Sequence, residues 1–156
     1  MLYPLTFAPI FKERVWGGRK LEALFGKTLP AKAVIGESWE ISDRPGDVSV
    51  IANGPLAGKD LHWLVQNHSA ELIGQSHQNH DRFPLLIKIL DAQEKLSLQV
   101  HPPANRAKDL GGEPKNEMWY IAAAEEGAEL FVGLLPIARA EVTTISAGKA
   151  VVVVVD

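Results

Sequence analysis

The residues best suited to chemistry in this chain lie in the segment 96–102 (LSLQVHP) and, further along, at Glu117. The segment alternates apolar and polar residues, and this pattern predicts a half-buried β-strand. Side chains two residues apart in a strand share a face, so we expect Ser97, Gln99 and His101 to point the same way. Glu117 is expected to open the next strand. Amide, imidazole and carboxylate groups are donors for a divalent metal ion, so this pattern predicts a chemical site.

A metal catalyst needs several donors fixed in space and an open position for water or substrate. Gln99 and His101 could both reach one ion from one strand face, and Glu117 could supply a charged oxygen. These three donors leave a position at which one more histidine is expected. A single histidine is more often a structural residue, so the spacing alone leaves both interpretations of His101 open.

Two more residues could contact an anionic substrate. Lys115 stands two residues before Glu117 and could bind a phosphate or stabilise a developing oxyanion. The alternative for Lys115 is a solvated charge beside the turn at 111–114 (GGEP). Ser97 could donate a hydrogen bond to a phosphate oxygen, or could simply belong to the polar face of a sheet.

The composition narrows the function classes. The 156 residues contain no cysteine, which excludes thiolate metal sites, disulfides and cysteine nucleophiles. The formal net charge of −3 gives no indication of nucleic-acid or anionic-membrane binding. The longest apolar run, at 150–155, is far too short to span a bilayer. Without a visible secretory signal, the expected compartment is the cytoplasm, and the sequence leaves the oligomeric state open.

Short strands joined by frequent glycine and proline residues predict a mainly β fold, an antiparallel sandwich or jelly roll formed by a single domain over 1–156. A small helical insert is predicted at about 59–74, with Asp60 and Ser69 as candidate N-caps and Gly74 as its stop. The predicted strands are 37–42, 48–51, 84–90, 96–101, 118–122, 130–133 and 151–155, with a hairpin turn at 43–47.

The last predicted strand, 151–155, consists of valines and is followed directly by Asp156. An uncovered strand edge at a terminus is an aggregation hazard. The sequence therefore predicts that the chain is the truncated part of a longer protein. The alternative is a terminal strand that pairs within the sheet.

Five segments, in order, resemble the type I mannose-6-phosphate isomerases (phosphomannose isomerases), particularly their shorter bacterial branch. The segments are RVWGG at 14–18, IGESWEIS at 35–42, PLLIKILDA at 84–92, LSLQVHP at 96–102 and KNEMWYI at 115–121. The resemblance covers nearly the whole chain. It implies a zinc-dependent cupin, which is a jelly-roll fold.

The resemblance implies that Gln99, His101 and Glu117 are ligands of one zinc ion. It also implies that Lys115 is the active-site lysine, that Ser97 lies near the substrate phosphate and that Trp16 lies near the pocket. The implied reaction interconverts mannose 6-phosphate and fructose 6-phosphate by proton transfer through an enediol. The family's remaining histidine ligand and an assisting arginine lie on a later strand and have no match before Asp156, so the chain could be an inactive fragment.

Two other functions are compatible with the sequence. One is a non-catalytic cupin that binds a sugar or sugar phosphate. The other is a different cupin metalloenzyme, such as an iron oxygenase, since one architecture supports many chemistries. The glutamine donor and the lack of a two-histidine, one-carboxylate set argue against the oxygenase.

Overall fold

The computed structural model describes residues 1–74, 81–97, 99, 101–130 and 150–155. Its strands are β1 (Ile10–Gly18), β2 (Ile35–Ile41), β3 (Asp43–Arg44), β4 (Asp47–Val48), β5 (Ile87–Ala92), β6 (Met118–Ala124) and β7 (Ala150–Val155). Its helices are α1 (Lys20–Phe25), α2 (Leu61–Leu72) and α3 (Ala104–Ala107). Among the described residues, no helix is both long enough and apolar enough to cross a membrane.

A five-stranded sheet forms the centre of the fold, with the strand order β1-β2-β5-β7-β6. Every neighbouring pair in this sheet is antiparallel. The short strands β3 and β4 form a separate hairpin, in which Gly46 adopts a positive φ of 83° at the turn. The predicted mainly antiparallel β fold is therefore confirmed, although the hairpin turn is narrower than the predicted 43–47.

The strand of valines lies inside the sheet, between β5 and β6. Val151, Val152 and Val154 are 0%, 2% and 1% exposed. A strand covered on both faces has a continuous apolar sequence, which is why this segment lacks polar alternation. The strand is therefore paired within the sheet and is not an uncovered edge, while the truncation stays a prediction.

Helix α2 begins where the sequence predicts. The Asp60 side chain accepts a hydrogen bond of 2.7 Å from the backbone N–H of Trp63, as an N-cap does. The helix kinks at His68, and Ser69 lies just after the kink with a buried hydroxyl that has no partner among the described residues. Ser69 is therefore not an N-cap. Gly74 follows the helix with a positive φ of 90°, consistent with the predicted stop.

The segment 96–101 is not a strand in those of its residues that the structure describes. The preceding strand, β5, already has β2 on one side and β7 on the other, so it offers no free edge for another strand. Leu96 packs instead against the core around Leu90 and Val152. The predicted strand 48–51 is reduced to β4 with isolated bridges at Val50 and Ile51. Of the predicted strand 130–133, only residue 130 is described, and it is irregular.

A buried carboxylate ties the first strand to the middle of the sheet. Asp91, at the end of β5, is fully buried and accepts a hydrogen bond of 2.7 Å from the backbone N–H of Lys20 at the start of α1. Gln93 donates its side-chain amide to Asp91 and its backbone N–H to the carbonyl of Trp16. These contacts fix the position of Trp16 relative to β5.

Candidate active site

A cavity of about 120 Å³ lies on one face of the five-stranded sheet. Every strand of that sheet contributes at least one residue to its lining. The strand residues are Trp16, Glu37, Lys88, Leu90, Trp119 and Val154. The loops before and after the strands add Leu96, Ser97, Gln99, His101, Lys115 and Glu117.

All six residues singled out in the sequence line this one cavity. Trp16 projects from β1, the three polar residues of 96–101 follow β5, and the remaining two immediately precede β6. At the described residues 96, 97, 99 and 101 the segment is not a strand, and Leu96 and Ser97 line the same cavity although they are adjacent. An irregular segment allows this because its side chains need not alternate between two faces.

Lys115 and Glu117 form an ion pair at the cavity wall, with 2.8 Å between Nζ and Oε1. Their side chains are 17% and 27% exposed, so the pair is partly shielded from water. The two residues lie outside a strand, yet their charged groups meet. A cation is thereby held beside the carboxylate in the cavity.

The donors in the cavity fit a divalent metal ion in their chemistry. Gln99, His101 and Glu117 offer an amide oxygen, an imidazole nitrogen and a carboxylate oxygen to one space. Among the described residues, no three histidine, aspartate or glutamate side chains are grouped closely enough to hold a metal ion. Glutamine is not one of these residue types, so this set depends on Gln99 as its third donor.

The sequence analysis missed Glu37, which lines the same cavity and is only 8% exposed. Its Oε1 accepts a hydrogen bond of 2.8 Å from Nε of Arg14, and its Oε2 accepts one of 2.7 Å from the indole N–H of Trp39. Buried carboxylates are rare unless they are paired. In the sequence Glu37 opens the predicted strand 37–42 and is followed by Ser38, so its residue type and spacing gave no signal of burial.

Lys88 was also missed. It is a single charge in the apolar run LLIKIL at 85–90, and such a residue is usually kept in a strand only if it reaches a partner or a polar space. In the sheet it lies opposite Trp39 on one side and Val154 on the other, and it lines the cavity. The cavity therefore contains two lysines and two glutamates as well as His101.

Two glycines allow β1 to approach β2 closely beside Trp16. A Cβ atom on Gly17 would lie 2.4 Å from the backbone nitrogen of Gly36. A Cβ atom on Gly36 would lie 2.5 Å from the Cβ of Arg14 and 2.8 Å from the Trp16 ring. Only glycine fits such approaches, so these residues help to place the aromatic wall of the cavity.

The loop that leads to Lys115 is anchored at Glu113. Its carboxylate accepts hydrogen bonds of 2.6 Å from Arg82 and 2.8 Å from Arg44 of β3. The Arg82 guanidinium, with a further contribution from Arg44, lowers the pKa of Glu113 below its usual value. This cluster connects three segments that are distant in the sequence.

The chain is similar to known proteins over most of its length. Residues 5–138 match the family "Phosphomannose isomerase type I, catalytic domain". A probable mannose-6-phosphate isomerase, GmuF of Bacillus subtilis, is 44% identical over 138 residues, which are 85% of this chain and 42% of that protein. The chain spans less than half the length of the curated relatives it matches.

The fold matches solved structures of the same kind. The crystal structure of mannose 6-phosphate isomerase from Bacillus subtilis matches with a TM-score of 0.79 and 32% identity, over 97% of this chain and 57% of that one. A zinc-bound mannose 6-phosphate isomerase matches in fold, with a TM-score of 0.58 and 23% identity, over 69% of this chain and 28% of that one.

These neighbours are phosphomannose isomerases, which have a cupin fold, and the predicted cupin-like fold class is thereby confirmed. The match to the family covers most of the chain, including both segments that supply the donors of the cavity. The chain therefore belongs to the type I phosphomannose isomerase family.

Proposed function

We propose that the cavity is the sugar-phosphate site of an aldose–ketose isomerase that interconverts mannose 6-phosphate and fructose 6-phosphate. The observation that carries this proposal is the convergence of Gln99, His101, Lys115 and Glu117 on one cavity of a chain in this family. Because the chain spans less than half of its curated relatives, the proposal concerns the part of the site that this chain supplies.

Gln99, His101 and Glu117 would hold one Zn²⁺ ion. The donor types support this assignment, and a neighbour in fold is a zinc-bound mannose 6-phosphate isomerase. When bound, the ion would act as a Lewis acid that polarises a sugar oxygen. Zinc sites in proteins are usually tetrahedral, so these donors would leave a further position, at which the sequence predicts one more histidine.

The remaining residues would bind and orient the sugar phosphate. The ammonium group of Lys115, held beside Glu117, would stabilise negative charge on a phosphate or on the enediolate oxygen. The hydroxyl of Ser97 would donate to a phosphate oxygen, and the Trp16 ring would exclude water from one side of the cavity. A general base must move the proton between the two adjacent carbons.

The test is a coupled assay that follows conversion of mannose 6-phosphate to fructose 6-phosphate by the zinc-loaded 156-residue chain. The wild-type chain is expected to turn over and His101→Ala to be inactive. The control is His62→Ala, because His62 lies on α2 and contacts Asp43 outside the cavity. Equal turnover by the wild type and His101→Ala would contradict the proposal.

A second function, sugar-phosphate binding without turnover, is compatible with the same cavity, because Ser97 and Lys115 could bind a phosphate whether or not a reaction follows. Titration calorimetry with mannose 6-phosphate distinguishes the two functions. Binding without turnover by the zinc-loaded chain would support the binding function, whereas binding with turnover would support the isomerase.

A further inference from the structure

The carboxylate of Glu37 is held at both of its oxygens by groups on β1 and β2. Arg14 donates to Oε1 at 2.8 Å and the Trp39 indole N–H donates to Oε2 at 2.7 Å. Trp39 is itself covered by Lys12, whose ammonium nitrogen lies 4.8 Å from the ring centroid. Hydrogen bonds to charged groups are shorter and stronger than neutral ones, so the orientation of this carboxylate is well defined.

Glu37 retains accepting capacity toward the cavity. An ionised carboxylate has about four acceptor positions, and the bonds from Arg14 and Trp39 use one on each oxygen. The side chain is 10% exposed and lines the cavity. A phosphate would be repelled by this negative charge, so the groups that suit the remaining positions are hydroxyl donors, such as those of a sugar.

Arg14 is placed differently. It is not among the described residues that line the cavity, and its side chain is 38% exposed. It reaches the cavity only through Glu37, with its Nε toward the carboxylate and one terminal nitrogen 3.0 Å from the carbonyl oxygen of Glu13. Its neighbour in the sheet, Gly36, leaves the space in which this side chain lies.

We propose that Glu37 accepts hydrogen bonds from hydroxyl groups of the sugar phosphate, and that Arg14 is a positioning residue that orients Glu37 for this contact. The inference rests on the proposed function, since it assumes a polyol ligand in the cavity. It adds an arginine outside the cavity to the groups that set the affinity for that ligand.

The test is a double-mutant cycle on the zinc-loaded chain, with titration calorimetry of mannose 6-phosphate as the measurement. The variants are Arg14→Gln, Glu37→Gln and the two together. Arg14→Gln is expected to weaken binding about tenfold, which corresponds to 1.4 kcal/mol, and to have no further effect when Glu37→Gln is present. If Arg14 had only a structural role, Arg14→Gln would weaken binding by the same factor in the wild-type background and in the Glu37→Gln background.

Two further variants keep the test decisive. Arg14→Lys preserves the charge but loses the planar donor fork, so it should bind more tightly than Arg14→Gln and more weakly than the wild type. It serves as the second variant if Arg14→Gln does not fold. Arg19→Gln is the matched control, because it also breaks an arginine–glutamate pair of 2.8 Å, with Glu22, but away from the cavity. The affinity of Arg19→Gln for mannose 6-phosphate should equal that of the wild type.

Each outcome has one meaning. Unchanged affinity in the Arg14 variants, or an equal loss on both backgrounds, overturns the inference and leaves the proposed function intact if the wild type binds. Absence of mannose 6-phosphate binding by the wild type overturns both the inference and the proposed function.

In the turnover assay, we expect Arg14→Gln to raise KM with little change in kcat, because the lost contact is made equally in the ground and transition states.

Discussion

At the scale of single residues, the cavity combines opposite charges in a small space. Lys115 and Glu117 pair directly, and Glu37 is held by Arg14 and Trp39. Each charged group that would act on a substrate is therefore fixed by a neighbour. Such preorganisation is what electrostatic stabilisation of a developing charge requires.

The clearest prediction at this scale concerns Lys115. Lys115→Gln removes the cation but leaves the three proposed zinc donors in place. The turnover number is expected to fall about 10²-fold, the usual effect of removing one charge-stabilising donor, while the zinc content stays unchanged. Lys59→Gln, outside the cavity and over the Trp63 ring, is the control. Full activity of Lys115→Gln would rule out a catalytic role.

The sequence predicted part of the site because its chemistry is concentrated in two short segments. Residue type and spacing made Ser97, Gln99, His101 and Glu117 candidates, although the spacing alone left the role of His101 open. Lys88 was not a candidate, because a lysine in an apolar strand acquires its meaning only from the register that places it opposite Trp39 and toward the cavity. Register between distant strands is a property of the tertiary structure.

At the scale of secondary-structure elements, the close approach of β1 and β2 determines where the Trp16 wall lies. Gly36→Ala would place a methyl group 2.5 Å from the Cβ of Arg14. The strands must then separate, and we expect a loss of about 1–3 kcal/mol in the free energy of unfolding, together with weaker sugar-phosphate binding. Urea unfolding measures the loss. An unchanged midpoint would show that the two strands can adjust without cost.

The N-cap and the kink of helix α2 provide a matched pair of substitutions. Asp60→Ala removes the N-cap bond to Trp63 and should destabilise the chain by about 1 kcal/mol. Ser69→Ala should cost less or stabilise, because the Ser69 hydroxyl is buried without a partner in the described part of the chain. Urea unfolding of the two variants checks the order. A larger loss for Ser69→Ala would contradict the assignment of the cap.

The predictions for elements succeeded where a local signal determined the structure and failed where it did not. The Asp60 cap and the strand beginning at Met118 follow from residues nearby in the sequence. The segment 96–101 alternates like a strand, but β5 already has a neighbour on each side. Leu96 instead both packs against the core and lines the cavity, together with the polar residues Ser97, Gln99 and His101.

At the scale of the whole molecule, the strand of valines, β7, lies between the strands next to the two segments that supply the polar residues of the cavity. On one side β7 pairs with β5, which precedes the segment with Gln99 and His101. On the other side it pairs with β6, which follows Glu117. Its position within the sheet could not be predicted from its place in the sequence. Its continuous apolar character is typical of a strand buried on both faces, whereas the sequence analysis interpreted it as an uncovered edge.

A pH-dependent contact also connects distant segments. The arginines beside Glu113 lower its pKa, so this interaction stabilises the fold above the ordinary glutamate pKa of about 4.3 and is lost as the pH falls through the lowered value. Glu113→Gln should therefore reduce the acid dependence of the unfolding free energy. At neutral pH the loss should be less than about 1 kcal/mol, because the pair is exposed. Identical pH profiles of the variant and the wild type would contradict this contribution.

The most direct test of the central claim is the zinc content of the purified 156-residue chain, measured by elemental analysis. We expect about one zinc ion per chain for the wild type, by the usual stoichiometry of a single catalytic site, and almost none for His101→Ala. Equal zinc content in the two proteins, or none in the wild type, would show that Gln99, His101 and Glu117 do not form the metal site.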